Sequence, residues 1–306
     1  MLKHYAVKVI SIALLLLLLL NACSAPERES EFTTWRPKIG ELAVRYFYLE
    51  SKDKSGDAIL VTAPDGKNIL LDAGIPEAGP KLDEMLRTLG VDELDIVINT
   101  HPHIDHIGGL TTLLRTLPVQ SYYSNGIPHT TDTYSKVQSA LKEKGIQEQH
   151  LQEGDRLELS DDLHIEILNP EAGSGELAVE KRSTEEHNNK SMVLLMVYKD
   201  TRILFTGDIY KTAEYELMKR YGEHLKADLM HAPHHGDITS SSGKFIDTVG
   251  AEHVIISANI LQSLDVMKRY EDKVDHVWNT GINGNMLFIS DGVHIQAFPE
   301  SINTDK

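Results

Sequence analysis

The sequence predicts an α+β chain in which two sheets pack face to face and helices cover their outer faces. Three observations lead there. Strand pairs precede helices in both halves instead of alternating strictly with them, which favours a sandwich over a doubly wound sheet. The candidate strands are short and rich in Val, Ile and Leu, with Gly, Pro, Asp or Asn at their ends. The 306 residues are 41% hydrophobic and 25% charged, which excludes a disordered, collagen-like or disulfide-scaffold chain.

The expected strands are Leu42–Leu49, Ala58–Thr62, Asn68–Leu71, Asp95–Asn99, Leu163–Leu168, Ser191–Tyr198, Ile203–Phe205, Asp228–Met230, His253–Ser257, Met286–Ser290 and Val293–Ala297. Pro64-Asp65-Gly66 reads as a hairpin turn between two of them. Apolar residues recur at helical spacing over Pro80–Leu89, Leu110–Leu117, Thr133–Lys144, Thr212–Tyr221, Lys244–Val249 and Leu261–Tyr270. The segment Glu171–Lys190 is charged, aperiodic and expected to be a loop.

The chain has one cysteine and fifteen histidines. An internal disulfide and a Cys-based zinc site are excluded, so any metal must be held by His, Asp and Glu. Lys3 and Lys8 lead into an apolar run, Val9 to Leu20, followed by Asn21-Ala22-Cys23. This is the layout of a secretory signal, too short to span a membrane comfortably. The small residue before Cys23 resembles a bacterial lipobox, which implies cleavage before Cys23 and a lipidated thiol. The expected organisation is a signal peptide over residues 1–22, a polar tether over 23–40, one domain over 41–300 and a tail over 301–306. Localisation would be the extracytoplasmic face of a bacterial membrane. Removing residues 1–22 takes away two of the 30 basic residues and no acid, leaving 28 against 46 and a formal charge of −18. Such a surface repels polyanions, so no strong nucleic-acid binding is expected.

The chemistry concentrates in Thr100-His101-Pro102-His103-Ile104-Asp105-His106-Ile107-Gly108-Gly109. The run follows the apolar Ile96-Val97-Ile98 and precedes a helix. Four metal-ligand side chains within six residues can converge where a strand ends and a helix begins.

This H-x-H-x-D-H motif resembles that of the metallo-β-lactamase superfamily, and further family marks follow in order. Ile69-Leu70-Leu71-Asp72-Ala73-Gly74 resembles the early strand whose Asp supports the metal loop. Ile203-Leu204-Phe205-Thr206-Gly207-Asp208 resembles the strand with a bridging Asp. His231-Ala232-Pro233-His234-His235-Gly236 resembles the last ligand motif. Taken singly, the later pieces are weak, since a strand-end Asp is commonly a turn residue and His231 reads as a packed core histidine. Ser55-Gly56-Asp57-Ala58-Ile59-Leu60, Asn188-Asn189-Lys190-Ser191, His234-His235-Gly236 and Thr280-Gly281 narrow the resemblance to the extracellular domain of ComEC-type DNA-uptake proteins, in a stand-alone secreted version. Teichoic-acid phosphorylcholine esterases are similar in this core. Departures are Asp237 after His-His-Gly and Ile209-Tyr210 after Asp208.

The resemblance implies a four-layer αββα sandwich and a metal-dependent hydrolase. His101 and His103 would hold a first zinc, Asp105, His106 and His234 a second, and Asp208 would bridge them. The third ligand of the first ion is left open between His187 and Asn188, and His235 competes with His234. Two Zn²⁺ are expected, with Mn²⁺ tolerated if the first site is incomplete. The shared water, held as hydroxide, would give its proton to Asp105 as catalytic base. A phosphodiester is the expected substrate, polymeric or small, at the cell surface, with membrane attachment through Cys23. The alternatives are a metal-depleted binding or assembly module on a hydrolase scaffold, and a β-lactam or ester hydrolase. A redox di-iron centre fits less well, because the ligand set is rich in His and no flavin domain is appended.

Overall fold

Two sheets account for the strands of the computed structural model, which describes residues 30–36, 38–49, 56–173 and 182–300. The first has eight strands: β1 (Leu42–Tyr46), β2 (Ile59–Thr62), β3 (Asn68–Leu71), β4 (Leu94–Asn99), β5 (Val119–Ser124), β6 (Glu148–His150), β14 (Met286–Ser290) and β15 (Ile295–Pro299), in the order β15-β14-β1-β2-β3-β4-β5-β6. The second has seven: β7 (Arg156–Ser160), β8 (Leu163–Asn169), β9 (Val193–Tyr198), β10 (Thr201–Phe205), β11 (Leu229–His231), β12 (His253–Ile256) and β13 (His276–Asn279), in the order β13-β12-β11-β10-β9-β8-β7.

Both sheets follow one plan. Pairing is antiparallel up to β3 and up to β10, then turns parallel at β3–β4 and at β10–β11. Parallel neighbours need crossover connections, and here helices supply them. Gly79–Thr88, Leu110–Thr116 and Asp132–Lys144 follow strands of the first sheet, and Lys211–Tyr221, Gly243–Val249 and Leu264–Glu271 follow strands of the second. Local chemistry sets their ends. Thr131, Ser242 and Ser263 each accept a backbone N–H at a helix start, and Gly145 and Gly250 end helices in the left-handed region.

Three apolar layers hold the sandwich. Val44, Tyr46, Val61, Ile69, Ile98, Ile165, Met196, Phe205 and Phe288 pack between the sheets. Leu60, Leu70 and Val97 face outward onto Leu82, Leu86, Leu113, Val137 and Leu141. Leu195, Leu204, Met230 and Val254 face outward onto Leu217, Phe245, Ile246, Val266 and Tyr270. Central strands are therefore apolar on both faces, which is why they read as continuous apolar runs. The expected α+β sandwich with outer helices is the observed architecture.

Three differences from the sequence reading have physical causes. Strands β5, β6, β7 and β13 were not expected. They lie at or next to sheet edges, where one side meets solvent and sequences such as Glu148-Gln149-His150 carry no apolar run. The expected tether over 23–40 contains a short helix, Glu31–Thr34, and Phe32 and Trp35 are buried in the outer core. Arg45 clamps it, donating to the carbonyls of Phe32 at 3.2 Å and Trp35 at 3.1 Å. The described residues from Glu31 onward form one compact unit, so the folded part begins before residue 41. The expected loop over Glu171–Lys190 contains the helix Thr184–Asn189, started by a reciprocal Ser183–Glu186 capping box. The signal, Cys23 and the tail lie outside the described residues. Among the described residues no helix is long and apolar enough to cross a membrane.

Candidate metal centre

The candidate residues gather beyond the carboxyl ends of the parallel strands, where open α/β sheets commonly place ligands. From the first sheet, β3 delivers Asp72, and β4 runs into His101, His103 and the turn Ile104–Ile107 with Asp105 and His106. From the second, β10 delivers Asp208, β11 leads to His234 and His235, and the helix before β9 brings His187 and Asn188.

Asp72 organises the first loop. Its backbone is left-handed at φ 55°, a conformation that is costly for a non-glycine residue. Its carboxylate accepts from Asn99 Nδ2 at 2.9 Å, Thr100 N at 2.8 Å and Thr100 Oγ1 at 2.6 Å. His106 Nδ1 adds a fourth contact at 2.8 Å. With Nδ1–H donating to Asp72, His106 presents Nε2 to the centre.

Asp208 is the meeting point. Its Oδ2 lies 3.2 Å from His106 Nε2, 3.7 Å from His101 Nε2, 3.7 Å from His235 Nε2 and 3.9 Å from His234 Nε2. Asp105, His106, Asp208 and His235 bring one ligand atom each to within 4.8 Å of one another. Asp105 Oδ2 is 3.6 Å from His235 Nε2 and partly exposed. On the other side, His101 Nε2 is 3.1 Å from His103 Nδ1, and the His187 ring lies 5.7 Å from that of His103.

The final motif is strained. His234 and His235 have φ of 50° and 54°, two successive left-handed residues. The two rings consequently diverge. His235 is buried, with Nδ1 2.9 Å from the Ser257 carbonyl and 3.3 Å from Asp57 Oδ1. His234 instead stacks on Tyr210 at 4.7 Å, with Nδ1 2.7 Å from Thr239 Oγ1.

Burial and charge divide the histidines into two groups. Burial depresses His101 strongly, with His106 adding to the effect, and takes His103 and His187 down to about 4. Burial also opposes charge on His106 and His235. For His106 the Asp208 and Asp72 carboxylates outweigh it, and for His235 Asp208 and Asp57 do, so both rise well above the ordinary value. Burial alone would raise Asp208, yet His106 and His235 hold it well below the carboxylate range. The centre is thus one buried carboxylate facing both neutral and charge-stabilised imidazoles.

This donor set fits metal ions. His106 Nε2, His235 Nε2, Asp208 Oδ1 and His187 Nδ1 are buried without a hydrogen-bond partner among the described residues. Unpaired buried polar atoms are expensive, and imidazole nitrogen with carboxylate oxygen is the donor set that zinc and similar ions take.

Asn188, the other candidate for the third position, is buried with its Oδ1 likewise unpaired among the described residues. His101, His103, Asp105, His106, Asp208 and His234 surround one space, and His187 flanks it beside His103. His235, which the sequence left in competition with His234, enters the buried four-group cluster, while His234 stands at its rim. Two contributors carried no expected role. Asp57, buried between His231, His235 and His106, lies 3.3 Å from His231 Nε2. Its signal was a carboxylate directly before the apolar run Ala58-Ile59-Leu60. His129, whose ring is 4.8 Å from His187 and 5.5 Å from His103, had none, because it sits alone in a loop.

Residues 52–258 match the family model described as the metallo-beta-lactamase superfamily, and the chain belongs to that superfamily of metal-dependent hydrolases. The ComEC-type resemblance is borne out as well. ComE operon protein 3 of Bacillus subtilis (strain 168) is 31% identical over 173 residues, which is 56% of this chain and 21% of the relative. Competence protein ComA of Neisseria gonorrhoeae is 27% identical over 236 residues, 77% of this chain and 28% of the relative. The chain thus spans between a fifth and a third of these relatives' length. Among solved structures, the metallo-beta-lactamase fold protein YhfI from Bacillus subtilis superposes with a TM-score of 0.50 at 16% identity, covering 78% of this chain and 95% of that one. That likeness is one of fold.

Proposed function

We propose that this chain is a two-zinc phosphodiesterase working at the extracytoplasmic face of a membrane, held there by lipidated Cys23. The observation that carries the catalytic part is Asp208. Its single oxygen Oδ2 lies within 3.9 Å of Nε2 of His101, His106, His235 and His234. One carboxylate oxygen shared among four imidazoles is the arrangement that suits a pair of divalent ions.

His101 and His103, with His187 as third donor, would hold one ion, and Asp105, His106 and His235 the other, with His234 at the rim. Such a pair, when bound, lowers the pKa of water and neutralises charge on phosphoryl oxygens. The chain's residues do the rest. Asp72 and Asp57 fix the orientation of His106 and His235. Asp105, partly exposed at the mouth, is held below the ordinary carboxylate range by the neighbouring His235 and His106 imidazoles against the opposing effect of burial, so it stays ionised. It is placed to orient the attacking water and take up its proton. Tyr210 and His234 line the rim on the side of the second sheet.

The acidic surface disfavours long polyanions at a distance, so the reading commits to a cell-surface phosphodiester rather than tight duplex binding. Metal content and a phosphodiesterase panel on purified protein test it. Two zinc ions at this centre and turnover of bis-(p-nitrophenyl) phosphate are expected, with metal at the centre reduced and turnover lost in His103→Ala, and turnover lost in Asp208→Asn with an intact circular-dichroism spectrum. A chain that binds no metal, or an Asp208→Asn variant with full turnover, would overturn it. Cys23→Ala should move the protein out of the membrane fraction; unchanged fractionation removes the anchor.

A further inference from the structure

A second group of metal-ligand side chains sits apart from the candidate centre. Glu252, His253 and His276 bring one ligand atom each to within 4.8 Å of one another. Glu252 Oε1 is 4.0 Å from Nε2 of both histidines. The backbone builds this arrangement directly. His253 and His276 are register partners on the parallel strands β12 and β13. Side chains of register partners share one face of a sheet, and the two rings stack at 4.8 Å with planes 21° apart. Trp278, two residues along the same face, stacks on His276 at 6.4 Å and lies 3.4 Å from His253 Nδ1 through its indole nitrogen.

The location is distinct. His253 opens β12, whereas the candidate centre lies past the other end, where Ser257 meets His235. About 13 Å of strand separates the two ends. β13 is the outermost strand of its sheet, so the group lies where the inter-sheet core opens to solvent. His253 is buried there while Glu252 and His276 are exposed. Burial, with His276 close by, holds the His253 ring below its ordinary pKa; its lone pair on Nδ1 accepts the indole N–H of Trp278, and the ring also hydrogen-bonds the Ile295 backbone.

We propose that Glu252, His253 and His276 form a second, separate binding site for a divalent transition-metal ion of the zinc, nickel or copper class. Two imidazoles and one carboxylate are the donors these ions select over magnesium or calcium. Ligand atoms around a tetrahedral zinc stand about 3.4 Å apart, given bonds of about 2.0–2.1 Å. The exposed Glu252 side chain closes from 4.0 Å to that spacing by a small movement, and the exposed His276 ring must turn out of its stack on His253 so that its Nε2 lone pair points at the ion. Binding through Nε2 of His253 places its proton on Nδ1, so the ring must turn away both from the indole N–H of Trp278 and from the Ile295 backbone. The remaining positions go to water. An ion there ties the outermost strand of the sheet to its neighbour.

Trp278 makes the site readable without any activity assay, because the chain has two tryptophans and Trp35 lies elsewhere. The full-length protein is titrated with Cu²⁺, which quenches nearby indole fluorescence, and its zinc content is measured after dialysis against a weak chelator. Wild type should show a saturable quench and one zinc beyond those of the main centre. His276→Ala and Glu252→Ala should each lose that ion and the quench while keeping hydrolytic activity. His106→Ala should keep both signals, which separates failure here from failure of the proposed function. An unchanged quench and zinc content in His276→Ala and Glu252→Ala, or loss of the quench in His106→Ala alone, would overturn the proposal.

Discussion

Asp57 Oδ1 stands 3.3 Å from His235 Nδ1, and both residues are buried beneath the candidate centre. His231 and His235 hold the Asp57 carboxyl well below its usual range although burial works the other way. The Ser257 carbonyl, 2.9 Å from His235 Nδ1, and the Asp57 charge beside it hold the imidazole so that Nε2 faces Asp208 and Asp105. Asp57→Asn keeps the shape and removes the charge. Supporting carboxylates of metal-bound histidines typically contribute 10–100-fold in affinity. Zinc affinity of the variant should fall by about that factor, as measured by chelator competition, with the fold retained by near-ultraviolet circular dichroism. Unchanged affinity would mean that the Ser257 carbonyl alone orients His235.

The diverging rings of His234 and His235 predict unequal substitutions. His235→Ala should remove about one metal ion per chain, because it empties a position in the buried four-group cluster. His234→Ala should retain metal content and affect mainly KM for a phosphodiester, since that ring lies at the rim against Tyr210. Atomic absorption together with steady-state kinetics separates the two. Equal metal loss in both variants would contradict the division.

Acid stability of the metal-free chain follows from the depressed histidines. His103 and His187 take a proton near 6.5 when unfolded but only near about 4 when folded. Between those values the unfolded state binds more protons, so stability falls as the solution is acidified. His106 and His235 act oppositely. Their folded pKa values are raised, so their contribution is complete below 6.5 and fades at higher pH. The urea midpoint of chelator-treated protein should therefore peak near neutrality and decline toward pH 4. Replacing both His103 and His187 by Asn should make the acid limb shallower, with His101 carrying what remains, and leave the alkaline limb unchanged.

The amino-terminal helix is a structural element and not a free tether. Phe32 packs edge-on against Phe47 at 5.7 Å, and Arg45 donates to the carbonyls of Phe32 and Trp35. Phe→Ala in a core typically costs about 3–5 kcal/mol. A terminal segment can instead detach, so about 2 kcal/mol is expected for Phe32→Ala. Denaturant unfolding followed by tryptophan fluorescence measures it. A loss within about 0.5 kcal/mol would mean that the helix does not contribute to the fold.

Much of this protein was legible in its sequence, because the relevant signals are local. Central strands buried on both faces must be apolar throughout, so β3, β4, β10 and β14 announce themselves. A cluster such as His101, His103, Asp105 and His106 fits within six residues because one strand end and one helical turn suffice to converge it. Edge strands such as β6 and β13 escaped because solvent on one side lifts the demand for apolar residues. Asp57 and His129 escaped because each meets the centre through a partner distant in the chain.

By itself the sequence determined the α+β class, the apolar strands, the superfamily and the residues able to bind metal. Only the tertiary structure decided which of them meet. It turned His235 inward and His234 to the rim through two left-handed residues, set Asp57 beneath both sheets' loops, and placed His253 beside His276 by strand register. Ligand identity is a property of side chains, which the sequence states. Convergence depends on how face-to-face packing of the two sheets brings the carboxyl ends of their parallel strands together, which no local pattern encodes.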